Sequence, residues 1–125
     1  MNIDRNTLIE RFHEYGCPKQ NWLVGGEFER AMVRTNGEPI GYFDPCGVRW
    51  ILEQLNLNDD WTPKFEGEHL IALHKENGAN ITLEPGGQVE LSGAPHRTLS
   101  ALAEEMQANR SELLHLSRGK DQVWI

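Results

Sequence analysis

The segment from residue 81 to residue 93 constrains the fold of this chain most, because it predicts a tight hairpin with an acidic side chain on each arm. It reads Ile-Thr-Leu-Glu-Pro-Gly-Gly-Gln-Val-Glu-Leu-Ser-Gly. If Gly86 and Gly87 reverse the chain, Glu84 and Glu90 lie on paired strands and can approach one another. Neighbouring carboxylates repel each other unless a positive charge lies between them, and a hard divalent cation is the usual partner. The hairpin therefore indicates metal–nucleotide chemistry.

The size and charge of the chain limit the classes of partner. Its 125 residues are 38% hydrophobic, enough for one core that buries roughly two-thirds of the unfolded surface. We therefore expect a single domain spanning residues 1–125. Twelve basic and nineteen acidic residues give a net charge of −7, without a basic run or a basic aromatic stripe. This balance argues against nucleic acid and membrane as partners, whereas a nucleotide can bind if metal ions bridge the repulsion.

The two cysteines and the N-terminal residues indicate the compartment. Cys17 and Cys46 match no zinc-site spacing, and the first residues lack the apolar stretch of a signal peptide. No apolar run approaches the ~20 residues that span a bilayer. We expect a soluble, cytoplasmic setting in which both cysteines are free thiols, with a redox-sensing pair as the alternative.

Helix and strand signals follow one another along the first half of the chain. Asp4 or Asn6 can cap a helix that carries Leu8, Ile9 and Phe12 on one side, ends at Gly16 and packs on an edge of the fold. Residues 22–33 alternate as a strand, with Trp22, Val24 and Phe28 on one face and Glu27 and Glu29 on the other. Asp44 and Pro45 then predict the N-cap and first residue of a helix through residues 48–55.

The second half predicts a sheet followed by a long helix. Residues 61–65, 70–74, 79–84 and 88–92 read as four strands of an antiparallel meander with turns at Gly67, Gly78 and Gly86-Gly87. Residues 98–118 carry apolar side chains at helical spacing. The fold class is therefore α+β, an antiparallel sheet of about four or more strands with helices packed on one face. The last seven residues have no evident structure of their own. Their apolar Trp124 and Ile125 either fold back onto the core or precede the next strand of a longer protein, and the C-terminus or an exposed sheet edge offers a site of association.

Four carboxylates fall on these strands. Glu27 and Glu29 share one face of the first strand, while Gln88, Glu90 and Ser92 share one face of the last. If these two strand faces and the side chain of Glu84 lie on the same side of the sheet, that side is an acidic surface. Its ligands are all oxygen atoms, which favour Mg²⁺ or Mn²⁺ over zinc. A solvated strand face is the alternative for each pair taken alone.

Three segments resemble the glutamate-cysteine ligases of plants and proteobacteria. They are residues 24–29 (Val-Gly-Gly-Glu-Phe-Glu), residues 61–73 and residues 81–93, and the resemblance extends over about residues 22–116. It is most specific at residues 83–93. The family is similar to glutamine synthetase in using an acidic antiparallel sheet to hold Mg²⁺ around the phosphates of ATP.

The resemblance implies an ATP-dependent ligation of the glutamate side-chain carboxyl to the cysteine amine, the first step of glutathione synthesis. The carboxylate attacks the terminal phosphate of ATP with loss of ADP, and the amine then attacks the carbonyl carbon of the resulting γ-glutamyl phosphate and displaces phosphate. The substrates are then glutamate, cysteine and ATP, and the cofactor is Mg²⁺ or Mn²⁺. By motif position the metal ligands are Glu27, Glu29, Glu84 and Glu90, and Gln88 is a cofactor-binding hydrogen-bond partner; no catalytic residue is assigned.

The sequence departs from the family pattern in two ways. The first motif has Phe28 between its acids and Arg30 after them, where this branch usually has His and Lys. The family's chains are also much longer, so residues 1–125 are expected to be the N-terminal fragment of a larger ligase catalytic domain. Two alternatives remain open. The chain is an inactive fragment that binds Mg-nucleotide or a partner, or it belongs to a related ligase that joins glutamate to another amine.

Overall fold

The computed structural model describes residues 4–58 and 60–125. In this part of the chain the secondary structure follows in the order α1 (Arg5–Tyr15), β1 (Glu27–Arg30), β2 (Met32–Val33), α2 (Val48–Leu55), β3 (Thr62–Glu66), β4 (His69–His74), β5 (Asn80–Glu84), β6 (Gln88–Ser92), α3 (Leu99–Ser117) and β7 (Val123–Trp124). A five-stranded antiparallel sheet in the order β1-β6-β5-β4-β3 is the main element, and β2 pairs with β7. The α+β prediction is confirmed.

The β5–β6 hairpin closes through the turn predicted from its glycines. Glu84 pairs with Gln88, so residues 85–87 form the connection. Gly86 and Gly87 have φ angles of 84° and 78°, a region that residues with a Cβ rarely adopt. The turn therefore depends on both glycines, and it sets which residue of β5 faces which residue of β6.

The predicted meander is confirmed, and one more strand joins it. The strands β3, β4, β5 and β6 pair in chain order, with a bulge between Lys64 and Phe65. β1 then pairs antiparallel with the free edge of β6. This last pairing is nonlocal, and it brings the first acidic segment beside the hairpin.

One face of the sheet is packed and the other is open. On the packed face Leu91, Ile81 and Leu73 lie in one cross-strand row, and each is at most 4% exposed. Four side chains of α2 and Leu113 of α3 complete this core. We call the opposite face of the sheet the open face.

The long helix α3 has 19 residues and begins after the Thr98 cap, as predicted. It lies alongside β1, since Leu102 and Met106 approach Gly26 and Asn109 accepts a hydrogen bond from Arg30. Leu99 is 72% exposed, so the apolar face of α3 that packs on the sheet contains fewer residues than predicted. No helix in the described part of the chain is long and apolar enough to cross a membrane.

The predicted start of α2 at Asp44 is wrong. The helix begins at Val48 with Gly47 as its N-cap. Asp44 instead accepts a 2.7 Å hydrogen bond from the Gly41 amide, and its carbonyl accepts from the Gly47 amide across a tight turn. Cys46 has a φ angle of 53° within that turn, so the helix cannot start before it.

The N-terminal segment forms as predicted but packs differently. Asp4 caps α1 by accepting a 2.8 Å hydrogen bond from the Thr7 amide, which lowers the pKa of this carboxyl, and Gly16 ends the helix. None of the residues of α1 is buried within the described structure. The single strand predicted over residues 22–33 is also wrong in its bounds. It begins at Glu27, with Trp22 61% exposed, and divides into β1 and β2, which belong to different sheets.

The C-terminal residues fold back onto the core, one of the two alternatives that the sequence left open. Val123 and Trp124 pair with β2, and Trp124 Nε1 donates a 2.7 Å hydrogen bond to the Ser117 hydroxyl. The Gln122 side chain donates to the carbonyl of Cys46. Both cysteines are free thiols.

The packed face predicts where the fold is most sensitive to truncation. Leu73 is fully buried, whereas Leu57 is 75% exposed. Leu73→Ala should lower the free energy of unfolding by about 2–5 kcal/mol through lost burial and the cavity left behind. Leu57→Ala should change it by less than about 0.5 kcal/mol. Urea denaturation of both variants measures the difference, and equal losses would contradict this assignment of the core.

Candidate metal centre

The pairing of β1 with β6 places two of the predicted metal ligands opposite each other. Glu29 faces Glu90 directly, and Glu27 faces Ser92. Side chains in directly opposite positions lie on the same face of a sheet, with their Cβ atoms about 4.5–5.5 Å apart. Phe28, between the two acids of β1, faces the buried Leu91 instead. Glu27, Glu29 and Glu90 therefore share the open face.

The hairpin adds the fourth acid to this face. Glu84 faces Gln88 and Thr82 faces Glu90, so Glu84 is a diagonal neighbour of Glu90. Glu27 is also diagonal to Glu90, on the other side. Diagonal neighbours are about 7–8 Å apart. Glu90 is thus the common neighbour of the other three acids, and we call these four residues the acidic face.

The four acids do not all reach one point. Glu27 and Glu84 are two strands and four residues apart in register, which places their Cα atoms about 17 Å from each other. Ligand oxygens lie about 2.0–2.6 Å from Mg²⁺ or Ca²⁺, so these two carboxylates cannot share an ion. The register instead defines two adjoining groups that share Glu90, one with Glu27 and Glu29 and one with Glu84 and Gln88.

The charges of the acidic face are not compensated by basic side chains of the described residues. None of the four carboxylates belongs to a salt bridge in residues 4–58 and 60–125. Arg30 follows Glu29 but lies on the packed face, with its guanidinium 4.4 Å from the centre of the Phe28 ring. Burial, with a smaller contribution from Arg110, lowers the pKa of Arg30. The open face therefore carries net negative charge.

The donor set fits a hard divalent cation. Carboxylate, amide and hydroxyl oxygens are the ligands that Mg²⁺ and Mn²⁺ prefer, and no cysteine of the described structure lies on β1, β5 or β6. Glu27 and Glu29 are exposed, while Glu84, Gln88 and Glu90 are half-buried. Within the described residues no three His, Cys, Asp or Glu side chains are already gathered around one point. A cation would have to draw these side chains together.

Several polar neighbours of the acids were not assigned a role from the sequence. Ser92 donates a 2.6 Å hydrogen bond to the Glu90 carboxylate. Asn80 and His74 continue the cross-strand row of Glu27 and Ser92, and their side chains hydrogen-bond to each other. The alternation along β5 indicates that Asn80 shares a face with Thr82 and Glu84. Only the pairing of the strands shows that Asn80 lies beside Ser92 in the same cross-strand row.

The end of the acidic face beside Glu27 opens into a recess of about 350 Å³ that includes Gly25, Gly26, Ser92 and Gly93. The Gly93 amide donates a 2.8 Å hydrogen bond to the Gly26 carbonyl. Small residues thus leave space next to the carboxylate of Glu27. A ligand larger than a metal ion can enter there.

Two residues that could also meet a ligand, Arg97 and His69, have other contacts. The Arg97 guanidinium donates to the carbonyl of Gln20 at 2.9 Å. His69 lies at the turn end of the hairpin, where its ring makes edge contacts with Tyr42 and Phe43 and lines a recess together with Glu84. Neither residue is placed among the four acids by the cross-strand register.

An open antiparallel sheet with four carboxylates that form no salt bridge among the described residues defines a candidate centre for divalent cations. The comparisons with known proteins give the family. The model of glutamate-cysteine ligase family 2 (GCS2) matches residues 23–121, and this chain belongs to that family. The match contains all four acids, Gln88 and all of α3.

Relatives of known name agree with this assignment. Glutamate-cysteine ligase A, chloroplastic, of Oryza sativa subsp. japonica is 40% identical over 75% of this chain and 19% of its own length. The chloroplastic glutamate-cysteine ligases of Medicago truncatula and Arabidopsis thaliana are 38% and 33% identical, each over 86% of this chain and 20% of their own length. The chain thus spans about one fifth of the curated relatives that it matches.

The unpaired acids predict a stability cost that a neutral substitution should relieve. Because Glu29 lies directly opposite Glu90, Glu29→Gln should raise the free energy of unfolding in metal-free buffer by about 0.2–1 kcal/mol. The gain should shrink at high salt, which screens the repulsion. Glu104→Gln, at an exposed position of α3, is the control for the loss of one charge. Denaturation in chelator at two salt concentrations measures both, and a loss of stability in Glu29→Gln would contradict the proposed repulsion.

Proposed function

We propose that this chain supplies the metal-binding wall of an ATP-dependent glutamate-cysteine ligase. The observation that carries the proposal is the register that gathers Glu27, Glu29, Glu84 and Glu90 on the open face of a sheet in a member of this family. Glutamate, cysteine and ATP are the proposed substrates, and Mg²⁺ or Mn²⁺ the proposed cofactor. The relatives' names support the ligase class, and the roles of individual residues are inferred from geometry.

Two adjoining cation positions follow from the shared neighbour. Glu27, Glu29 and Glu90 would hold one ion, and Glu84, Gln88 and Glu90 would hold the other. Bound Mg²⁺ supplies neutralisation of the phosphate charge during phosphoryl transfer. The acids would hold the ions and through them orient the nucleotide, while the pairing of β5 with β6 sets the spacing of Glu84 and Glu90. In the proposed ligation the glutamate side-chain carboxylate would take the terminal phosphoryl group of ATP with loss of ADP. The cysteine amine would then attack the carbonyl carbon of the γ-glutamyl phosphate and displace inorganic phosphate, forming the amide.

The position of the acidic side chains on the open face accounts for how an acidic protein would bind an anionic nucleotide. The net charge of −7 repels ATP, but the uncompensated acids of the open face attract divalent cations first. The metal-loaded face is then the attractive surface for the phosphates. The same uncompensated charge makes this face a poor site for a nucleotide without metal.

A second candidate function is supported by the extent of the match. Because the chain corresponds to about one fifth of its relatives, it can be a metal-binding fragment that has no turnover by itself. Release of ADP by the purified chain with glutamate, cysteine and MgATP would reject this candidate. Replacing cysteine by other amines in the same assay tests the related ligase with a different acceptor. The relatives named above are chloroplastic, and the cytoplasmic location stays a prediction for this chain.

Metal titration of the chain tests the assignment of the acidic face. Mn²⁺ binding followed by electron paramagnetic resonance should weaken by about tenfold or more in Glu90→Gln, since even partners outside the ligand set change affinity about 10–100-fold. Glu27→Gln and Glu84→Gln should each weaken only one of two positions. The substitution at Glu90 should have the largest effect because Glu90 is the one acid that adjoins both proposed cation positions.

The control for the titration is again Glu104→Gln, which removes one exposed carboxylate from α3. It should bind Mn²⁺ as the unsubstituted chain does. If Glu90→Gln binds as tightly as this control, the acidic face is a solvated strand surface and the metal assignment is rejected.

A further inference from the structure

A carboxylate of α3 contacts the chain directly beyond the acidic face. Both carboxylate oxygens of Glu105 lie 3.0 Å from the amide nitrogen of Ala94. Oε2 also lies 2.8 Å from Nε2 of His96. The Glu105 side chain is only 19% exposed. A half-buried carboxylate that accepts a backbone N–H forms one of the stronger hydrogen bonds in proteins.

The glycine at position 93 is what allows this contact. A Cβ atom there would lie 2.4 Å from Oε2 of Glu105 and 3.3 Å from its Cδ. To make room for a Cβ atom, Oε2 would have to move away from the Ala94 amide and the His96 ring. Glycine is required here by close approach, not by an unusual backbone angle, because Gly93 has no positive φ.

The segment that Glu105 holds is bonded to the start of β1. The Gly93 amide donates to the Gly26 carbonyl at 2.8 Å. Val24 and His96 exchange two further backbone hydrogen bonds of 2.8 Å each. Residues 93–96 therefore connect α3 to residues 24–26, which lead directly into Glu27.

We propose that Glu105 is a positioning residue for the acidic face. By holding the Ala94 amide, it fixes residues 93–96 and the residues 24–26 bonded to them, which adjoin the Glu27–Ser92 pair. It thereby fixes the separation of Glu27 from Glu90. The role of this spacing in metal binding rests on the proposed function. Glu105 lies on the packed side of the sheet, with α3, and does not itself belong to the acidic face.

Amide hydrogen exchange and Mn²⁺ titration of three variants test this role. In Glu105→Ala, the amides of Gly93, Ala94 and His96 should exchange about tenfold faster, while those of α2 stay unchanged, because the loss is local. Mn²⁺ affinity should fall by about tenfold. Glu105→Gln should restore both properties, since its amide oxygen still accepts from Ala94. Glu104→Ala, the adjacent exposed residue, is the matched control.

Gly93→Ala provides an independent route to the same contact. Alone, it should mimic Glu105→Ala, because the added methyl group displaces the carboxylate. In the Glu105→Ala background it should have little further effect, since the conflict is gone and the Gly26 carbonyl remains 3.4 Å away. Full additivity of the two substitutions in exchange rates would show that Gly93 and Glu105 do not act through one contact.

The outcomes of these experiments distinguish failure of the positioning role of Glu105 from failure of the proposed metal-binding function. Equal acceleration of all core amides in Glu105→Ala would show a general stabilising role and overturn the positioning role. Local acceleration with unchanged Mn²⁺ affinity would also overturn it. If the unsubstituted chain fails to bind Mn²⁺, the proposed function falls, while unchanged exchange at Gly93, Ala94 and His96 in Glu105→Ala would separately reject the anchoring by Glu105.

Discussion

The register of the β5–β6 hairpin is the constraint on which the rest of this structure depends. Side chains alternate between the faces of a strand, so a slip of one residue would move every side chain of β6 to the other face. The three-residue turn prevents this slip, because both of its glycines have positive φ angles that other residues rarely adopt. The turn thereby directs Val89 and Leu91 into the core and Gln88 and Glu90 to the open face.

The two faces of the sheet have opposite effects on stability. Burial of Leu73, Ile81 and Leu91 against α2 and α3 stabilises the packed face. On the open face, Glu29 and Glu90 face each other without a basic partner among the described residues. Like charges in this position destabilise a strand pair. The packed face therefore offsets a repulsion that a bound cation would turn into attraction.

The sequence predicted most accurately those elements whose cause lies within a few residues. The Asp4 cap, the Gly16 end of α1 and the hairpin turns depend on local hydrogen bonds and backbone angles. The start of α2 was mispredicted because Asp44 has a competing local partner, the Gly41 amide. The strand at the C-terminus escaped prediction for a different reason, since β7 pairs with a strand about 90 positions earlier in the chain.

The same distinction applies to the candidate site. From the sequence alone came the identity of the four acids, their alternation on each strand and, by resemblance, a family that the comparisons confirm. Only the tertiary structure decided that β1 pairs with β6, that Glu90 is the common neighbour, and that Glu27 and Glu84 are too far apart for one ion. It also revealed Glu105, whose partner is a backbone amide and leaves no mark in the side-chain pattern. Alternation is a property of one strand, whereas distances between strands depend on the pairing that burial of the packed face selects.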